Sequence, residues 1–199
     1  ILSALGDDDY GKRAMEEIKA LGMDTSFIST TPFETGKAMI TLNGKNADYE
    51  FNSPCAWDNI PYLPLPEKVS LIYYGTLAQR SEGSRETLKR VLREVSSDHR
   101  FFDVNIRKHF YSDEIIREGV EEATILKLND EEEEIVLSSL GIKERGLSGL
   151  EKLYRDYSLD LILLTCGKDG TMCYKDKWYR VPCASVPVVD TVGAGDSLS

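Results

Sequence analysis

Several familiar devices are missing from this sequence. No two of its four cysteines (Cys55, Cys166, Cys173 and Cys183) form a CxxC pair, so neither a zinc ribbon nor a dithiol redox centre is written into the chain. Reduced thiols follow, with Cys166 and Cys173, set in apolar strand-like surroundings, expected to be buried and inert. The two histidines, His99 and His109, have no spacing suited to a metal or a triad and are expected at the surface. No apolar run reaches the ~20 residues of a membrane span, and Ile1-Leu2-Ser3 does not open a signal peptide; the expected compartment is the cytoplasm. Positive charge is also scarce, with 24 Lys and Arg against 34 Asp and Glu and a net charge of −10. Nucleic-acid backbones are therefore excluded as partners, because they demand clustered cations. Small phosphates are not excluded, since backbone amides, one or two cations and Mg²⁺ suffice for them.

What is present is an alternation of strands and helices. The 199 residues, 41% hydrophobic and 29% charged, make one sizeable core with a small appendage. After an opening strand, Tyr10, Ala14, Ile18 and Leu21 recur at helical spacing, with Gly22 as the C-terminal cap. Val69 to Tyr74 is predicted as a strand, and the helix after it carries Leu88, Val91, Leu92 and Val95 on one face. Strand is then predicted at Phe101 to Val104 and Thr124 to Leu128, and helix at Asp113 to Glu122, Glu131 to Leu140 and Leu147 to Tyr157. Asp160 to Thr165 is a continuous apolar run fit for a central parallel strand. The pattern predicts an α/β fold with a mostly parallel central sheet.

Two hairpins interrupt this rhythm. Ala38, Ile40 and Leu42 alternate toward an Asn43-Gly44 turn, and Ala47, Tyr49 and Phe51 alternate on the return. Placed between the first helix and the body, this hairpin suits a lid or a pairing surface, or simple surface decoration. A second hairpin spans Thr171 to Val181, turning near Asp176-Lys177, and carries no expected chemistry.

Asp190-Thr191-Val192-Gly193-Ala194-Gly195-Asp196 holds the densest chemistry. Gly193 and Gly195 let the backbone turn its N–H groups onto an anion, and a helix starting here would add its positive end. Asp196 would then stand where a substrate hydroxyl meets a phosphate, which is the arrangement phosphoryl transfer needs. A capped structural turn is the plain alternative. A dinucleotide fingerprint fails on spacing, because Leu198 stands where a small residue is required, and no GxxxxGK followed by Ser or Thr provides a P-loop.

Further candidates lie upstream. Asn105 and Arg107 follow an apolar strand, where parallel sheets present ligand groups; Arg107 would clamp a phosphate or substrate oxygen, or form a surface ion pair. Asn129 followed by acids reads on composition as a helix cap. Lys127 faces either phosphate or solvent. Thr165, Gly167 and Gly170 suit a loop beside a nucleotide, or ordinary turns.

Taken in order, these segments resemble the ribokinase-like (PfkB) carbohydrate kinases. Gly6-Asp7-Asp8-Asp9-Tyr10-Gly11 with Leu21-Gly22-Met23-Asp24-Thr25-Ser26 is similar to that family's N-terminal third, and Thr35-Gly36-Lys37-Ala38 to its lid entry. Asp103 to Arg107 resembles its DxNxR strand end, Lys127 to Glu132 its NxxE segment, Thr165 to Gly170 its nucleotide loop, and Asp190 to Asp196 its C-terminal signature. The resemblance implies a three-layer α/β/α fold with a small β lid, divided as residues 1–23 opening the body, 24–54 the lid and 55–199 the nucleotide- and sugar-binding body. It also implies an ATP-dependent sugar kinase, with Asp196 as general base and Gly193, Ala194 and Gly195 as anion hole. Asn129 and Glu132 would organise Mg²⁺ through water, Lys127, Asn129, Thr165, Gly167 and Gly170 would meet the nucleotide, and Asn105 and Arg107 the sugar. A monovalent cation is compatible, as is a homodimer formed through the lid hairpin. Tyr74 to Ser81 with the DxNxR segment looks most like fructokinases, which puts fructose first. Ribokinase, 2-keto-3-deoxygluconate kinase and a non-catalytic binding module of the same ancestry stay open. The family's N-terminal strand and its helices after the signature are missing from the sequence, so the chain is expected to be part of a longer enzyme.

Overall fold

Strands and helices alternate as predicted. The computed structural model of the chain describes residues 1–43 and 46–183. In order these form β1 (Ser3–Gly6), α1 (Asp9–Ala20), β2 (Ile28–Thr31), β3 (Ala38–Asn43), β4 (Asn46–Phe51), β5 (Lys68–Gly75), α2 (Glu82–Glu94), β6 (Ser96–Asp103), α3 (Asp113–Glu122), β7 (Ile125–Asn129), α4 (Glu133–Ser139), α5 (Gly146–Asp156), β8 (Leu161–Thr165), β9 (Thr171–Tyr174) and β10 (Trp178–Val181). They divide into two compact units: Ile1–Glu67 with Ala78–Val95, and Lys68–Leu77 with the chain from Ser96 onward.

In the first unit β1 pairs in parallel with β2, from Ser3↔Ile28 to Gly6↔Thr31, with α1 as the crossover. Asp8 starts that helix. Its backbone is extended, and its Oδ1 accepts the Gly11 N–H at 2.8 Å, the geometry of an N-cap. The same carboxylate accepts the Thr35 hydroxyl at 2.6 Å and the Thr35 N–H at 2.8 Å, while the Gly6 N–H donates to Thr35 Oγ1 at 3.0 Å. Gly6 and Gly11 are glycines because the backbones nearly touch: a Cβ on Gly11 would collide with the Gly6 carbonyl. The helix ends as predicted, on Gly22 in the left-handed region at φ 71, its N–H donating to the Lys19 carbonyl at 2.9 Å.

The buried side of α1 is displaced from the expected one. Gly11 is buried and Ala14, Met15 and Ile18 are half-buried, whereas Tyr10 and Leu21 stay 61% and 76% exposed. At ~100° per residue, Tyr10 and Leu21 lie roughly 80–100° from the Gly11 side. In the hairpin, β3 and β4 pair antiparallel from Ala38↔Phe51 to Asn43↔Asn46; Gly44 of the expected turn lies outside the described residues. Helix α2 buries Val91 and Leu92 as the sequence suggested, together with Ser84 and Thr87. Those two hydroxyls are satisfied by the Trp57 carbonyl at 2.6 Å and the Ile60 carbonyl at 2.7 Å. Asp58 and Arg80 form a buried bidentate pair, with Nε–Oδ1 at 2.7 Å and Nη2–Oδ2 at 3.0 Å. Cys55, not Cys166 or Cys173, is the buried thiol; the latter two are half-buried, and none of the four forms a disulfide.

The second unit is a six-stranded sheet ordered β10-β9-β8-β7-β6-β5. Strands β5 to β8 are parallel, and β9 and β10 fold back antiparallel. Stepping one way through parallel strands with right-handed crossovers puts the crossover helices on one face, and α3, α4 and α5 pack each against the next. The sheet face they cover carries Tyr74, Phe102, Leu126, Leu128 and Ile162, all buried; burying an aliphatic or aromatic side chain of this kind contributes roughly 1.5–3 kcal/mol. Gly119 of α3 lies flat on the Phe102 ring, where a Cβ would collide, and its carbonyl accepts the Tyr74 hydroxyl at 2.8 Å. Burial pushes the Tyr74 phenol upward. On the opposite face the alternation of β8 leaves Leu161 and Leu163 half-buried.

The Asp8 knot yields a pH signature. Hydrogen bonds from the Thr35 hydroxyl, the Thr35 N–H and the Gly11 N–H hold the Asp8 carboxyl down at about 2, below the ordinary ~3.9. A depressed carboxylate stabilises the fold above its unfolded value, and that contribution is lost as pH falls through the folded one. Asp8→Asn should therefore melt below the parent protein at pH 7, and thermal scans should show the gap closing between about pH 4 and pH 2. A gap independent of pH would contradict the assignment.

Candidate functional site

The carboxyl ends of β6, β7 and β8 lie side by side. Asn129, last in β7, is in register with Thr165, last in β8, while Asp103, last in β6, is in register with Lys127. This edge is where open parallel sheets place ligands, and the sequence candidates Asn105, Arg107, Lys127, Asn129, Glu132, Thr165, Gly167 and Gly170 all fall on it or on the loops leaving it. Asp196, Gly193, Ala194 and Gly195 lie outside the described residues.

Glu132 ties two of these loops together. Its Oε2 accepts the Asn129 N–H at 2.9 Å, and the Asn129 Oδ1 accepts the Glu132 N–H at 2.9 Å. This is the reciprocal pattern of a capping box with asparagine in the leading position. The bonds close the turn ahead of the helix and do not cap it: α4 begins at Glu133, two residues later than predicted, and its N-cap position is Glu132, which makes no side-chain cap bond. The other oxygen reaches further: Oε1 accepts the Ile106 N–H at 2.6 Å. The side chain is buried, which pushes its carboxyl upward, while the two N–H bonds pull it down and Asp103 adds a like charge.

Lys127 does not face solvent. It is buried, and its Nζ meets Asp103 Oδ2 at 2.8 Å, with side-chain exposures of 6% and 2%. Tyr73 donates its hydroxyl to the same oxygen at 2.8 Å. Three neighbouring strands thus converge on one carboxylate. Asp103 and Tyr73 were not among the sequence candidates; strand parity was the available signal, since the pairings Tyr73↔Phe101 and Asp103↔Lys127 set Tyr73, Asp103 and Lys127 on one face.

Between these anchors the chain leaves β6 in an unusual conformation. Asn105 has φ 39 and Lys108 has φ 51. The left-handed region costs a residue with a Cβ about 1–2 kcal/mol, and asparagine visits it more readily than most. Such strain persists where the surroundings over-determine it. Here the Val104 N–H donates to the Lys127 carbonyl at 2.9 Å, and the fully buried Thr76 hydroxyl donates to the Val104 carbonyl at 2.8 Å, with the Asn105 carbonyl at 3.4 Å. Arg107 is half-buried just beyond, its carbonyl accepting the Phe110 N–H at 3.0 Å.

The loop after β8 is a tight turn built on its glycines. The Cys166 N–H donates to the Gly170 carbonyl at 2.8 Å, and the Gly170 N–H to the Gly167 carbonyl at 3.1 Å. Gly167 and Gly170 have φ 51 and φ 92, values that need glycine. A Cβ on Gly170 would strike the Val181 carbonyl, whereas one on Gly167 would meet open space. Gly170 therefore answers to packing against the strand behind it, and Gly167 marks the exposed side of the loop. Thr165 is half-buried at its root. Among the described residues no cluster of three or more His, Cys, Asp or Glu is placed to hold a metal directly. Glu132 spends one acceptor site of each oxygen on an N–H.

Residues 1–199 match the family described as pfkB family carbohydrate kinase. A fructokinase of Rhizobium leguminosarum bv. trifolii is 29% identical over 207 residues, covering 98% of this chain and 62% of the relative. An aminoimidazole riboside kinase of Salmonella typhimurium is 25% identical over 211 residues, covering 99% of this chain and 64% of the relative. The solved structure of a sugar kinase from Pyrococcus horikoshii in complex with ATP superposes with a TM-score of 0.80 at 25% identity, covering 98% of this chain and 65% of that one. The fold is thus that of the ribokinase-like kinases, and the chain spans less than two thirds of the length of these curated relatives.

The buried pair predicts a non-additive response. In the full-length protein, Lys127→Met strands the Asp103 carboxylate and should cost about 3–5 kcal/mol in urea unfolding, while adding Asp103→Leu should restore most of the loss. A double variant as unstable as the sum of the singles would contradict the pairing.

Proposed function

The chain belongs to the pfkB family of carbohydrate kinases, and we propose that the full-length protein transfers the γ-phosphate of ATP to a hydroxyl of a small sugar, fructose first. The observation that carries this reading is the gathering of three sequence motifs, Asp103 to Arg107, Lys127 to Glu132 and Thr165 to Gly170, on adjacent carboxyl ends of one parallel sheet.

Roles follow from the chemistry of each position. Thr165, Gly167 and Gly170 form a nucleotide-side loop, with Gly167 on its exposed surface. Asn129 and Glu132 orient water around Mg²⁺, which when bound neutralises charge on the phosphate oxygens. Lys127 serves this site through Asp103, holding β6 against β7. Asn105 and Arg107 lie on the sugar side. Asp196 takes the proton of the acceptor hydroxyl, and the amides of Gly193, Ala194 and Gly195 receive the transferring phosphoryl oxygens. This last assignment rests on the sequence of the signature. Fructose is favoured by the fructokinase likeness. Arg107 keeps 2-keto-3-deoxygluconate in view, because a planar guanidinium suits a carboxylate, and ribose belongs in the same panel. The hairpin β3–β4 acts as a lid within residues 24–54 and as a dimer contact, presenting Met39 and Ile40 to solvent at 64% and 45% exposure. A cytoplasmic enzyme is the corresponding location.

Coupled ADP-release assays on the full-length protein, with fructose, ribose and 2-keto-3-deoxygluconate in parallel, test the proposal. ADP release dependent on one of the sugars is expected, and release with none would overturn it. Asp196→Asn should lower kcat by about 10²- to 10⁴-fold while keeping the thermal shift caused by ADP. A change of only a few-fold would remove Asp196 from the role of base.

A further inference from the structure

Thr76 is not among the residues given a role above, yet it is completely buried beside the strained turn at Asn105. Its hydroxyl donates to the Val104 carbonyl and lies at 3.4 Å from the Asn105 carbonyl, so one side chain engages the peptides on either side of Asn105. From the other side, Glu132 Oε1 takes the N–H of Ile106. Asn105, at φ 39, is therefore gripped before and after its own Cα. The two grips come from β5's carboxyl end and from the turn before α4, elements far apart in sequence.

We infer that Thr76 is a positioning residue for the sugar side of the site: with Glu132 it forces Asn105 into the left-handed conformation and so fixes the direction in which Asn105 and Arg107 leave β6. This rests on the kinase reading above. A left-handed Asn105 directs its Cα–Cβ bond differently from any extended or helical conformer of the same residue. Losing the grip would let the segment relax toward the common regions, and the groups presented to the acceptor would be misplaced. Misplacement of a binding segment affects the substrate it contacts more than the nucleotide on the neighbouring loop.

The test uses the full-length enzyme. Thr76→Val keeps shape and removes the hydroxyl; Thr76→Ser keeps the hydroxyl. Loss of one buried hydrogen bond of this kind predicts a KM for the sugar raised about tenfold in Thr76→Val, with KM for ATP near the parent value and Thr76→Ser restoring the sugar KM. A sugar KM unchanged in Thr76→Val, or raised equally in both variants, would overturn the inference while leaving the kinase reading intact. A parent enzyme that phosphorylates no sugar would sink both. Independently of turnover, Asn105→Gly should melt above Asn105→Ala, because glycine alone enters the left-handed region without strain; the reverse order would also overturn it.

Discussion

The carboxylate of Glu132 is the constraint on which the candidate site depends. Its two oxygens accept the N–H groups of Asn129, at the end of β7, and of Ile106, in the loop leaving β6. A buried carboxylate is costly unless its acceptors are used. Here the Ile106 N–H would lose this partner if the two strand ends separated. The same side chain closes the turn before α4, because Asn129 and Glu132 each bond the other's N–H. One side chain thus closes that turn and joins two strand ends. Below it, Asp103 collects Lys127 and Tyr73 and draws β5, β6 and β7 together at the level where the strands end. The strained backbone at Asn105 lies between these two carboxylates.

Much of the fold was legible because local rules and tertiary structure agree. The helical spacing along α2, the glycine that ends α1 and the apolar run of β8 each produced the element expected. The limits of legibility have specific causes. Tyr10 and Leu21 carried the right spacing for a helix, but which side is buried was decided by the close approach of Gly11 to Gly6, a contact that glycines make invisibly in a hydropathy pattern. Cys55 is buried beside Asp58 and Arg80, and Arg80, 25 residues away, comes near it only through folding.

The site was legible as motifs and illegible as a network. Asn129 and Glu132 could be paired from sequence because they are three residues apart, within one turn. The Glu132 bond to Ile106 spans 26 residues and the Lys127 bond to Asp103 spans 24, and no local pattern announces either. Lys127 shows the consequence. The sequence left it facing phosphate or solvent, and the pairing with an aspartate one strand away was written in the strand register alone. Glycines behaved similarly, since Gly167 and Gly170 share a motif but answer to different demands, one to an open loop surface and the other to the Val181 carbonyl.

The central claim is that the carboxyl ends of β6, β7 and β8 form the floor of a site in which a nucleotide and a sugar meet at Asp196. A crystal structure of the full-length protein with ADP and fructose tests it most directly. The account predicts ADP against the Thr165 to Gly170 loop, the sugar beside Asn105 and Arg107, and the Asp196 carboxylate within hydrogen-bond distance of a sugar hydroxyl. A nucleotide bound away from these strand ends, or a sugar beyond the reach of Asp196, would contradict it.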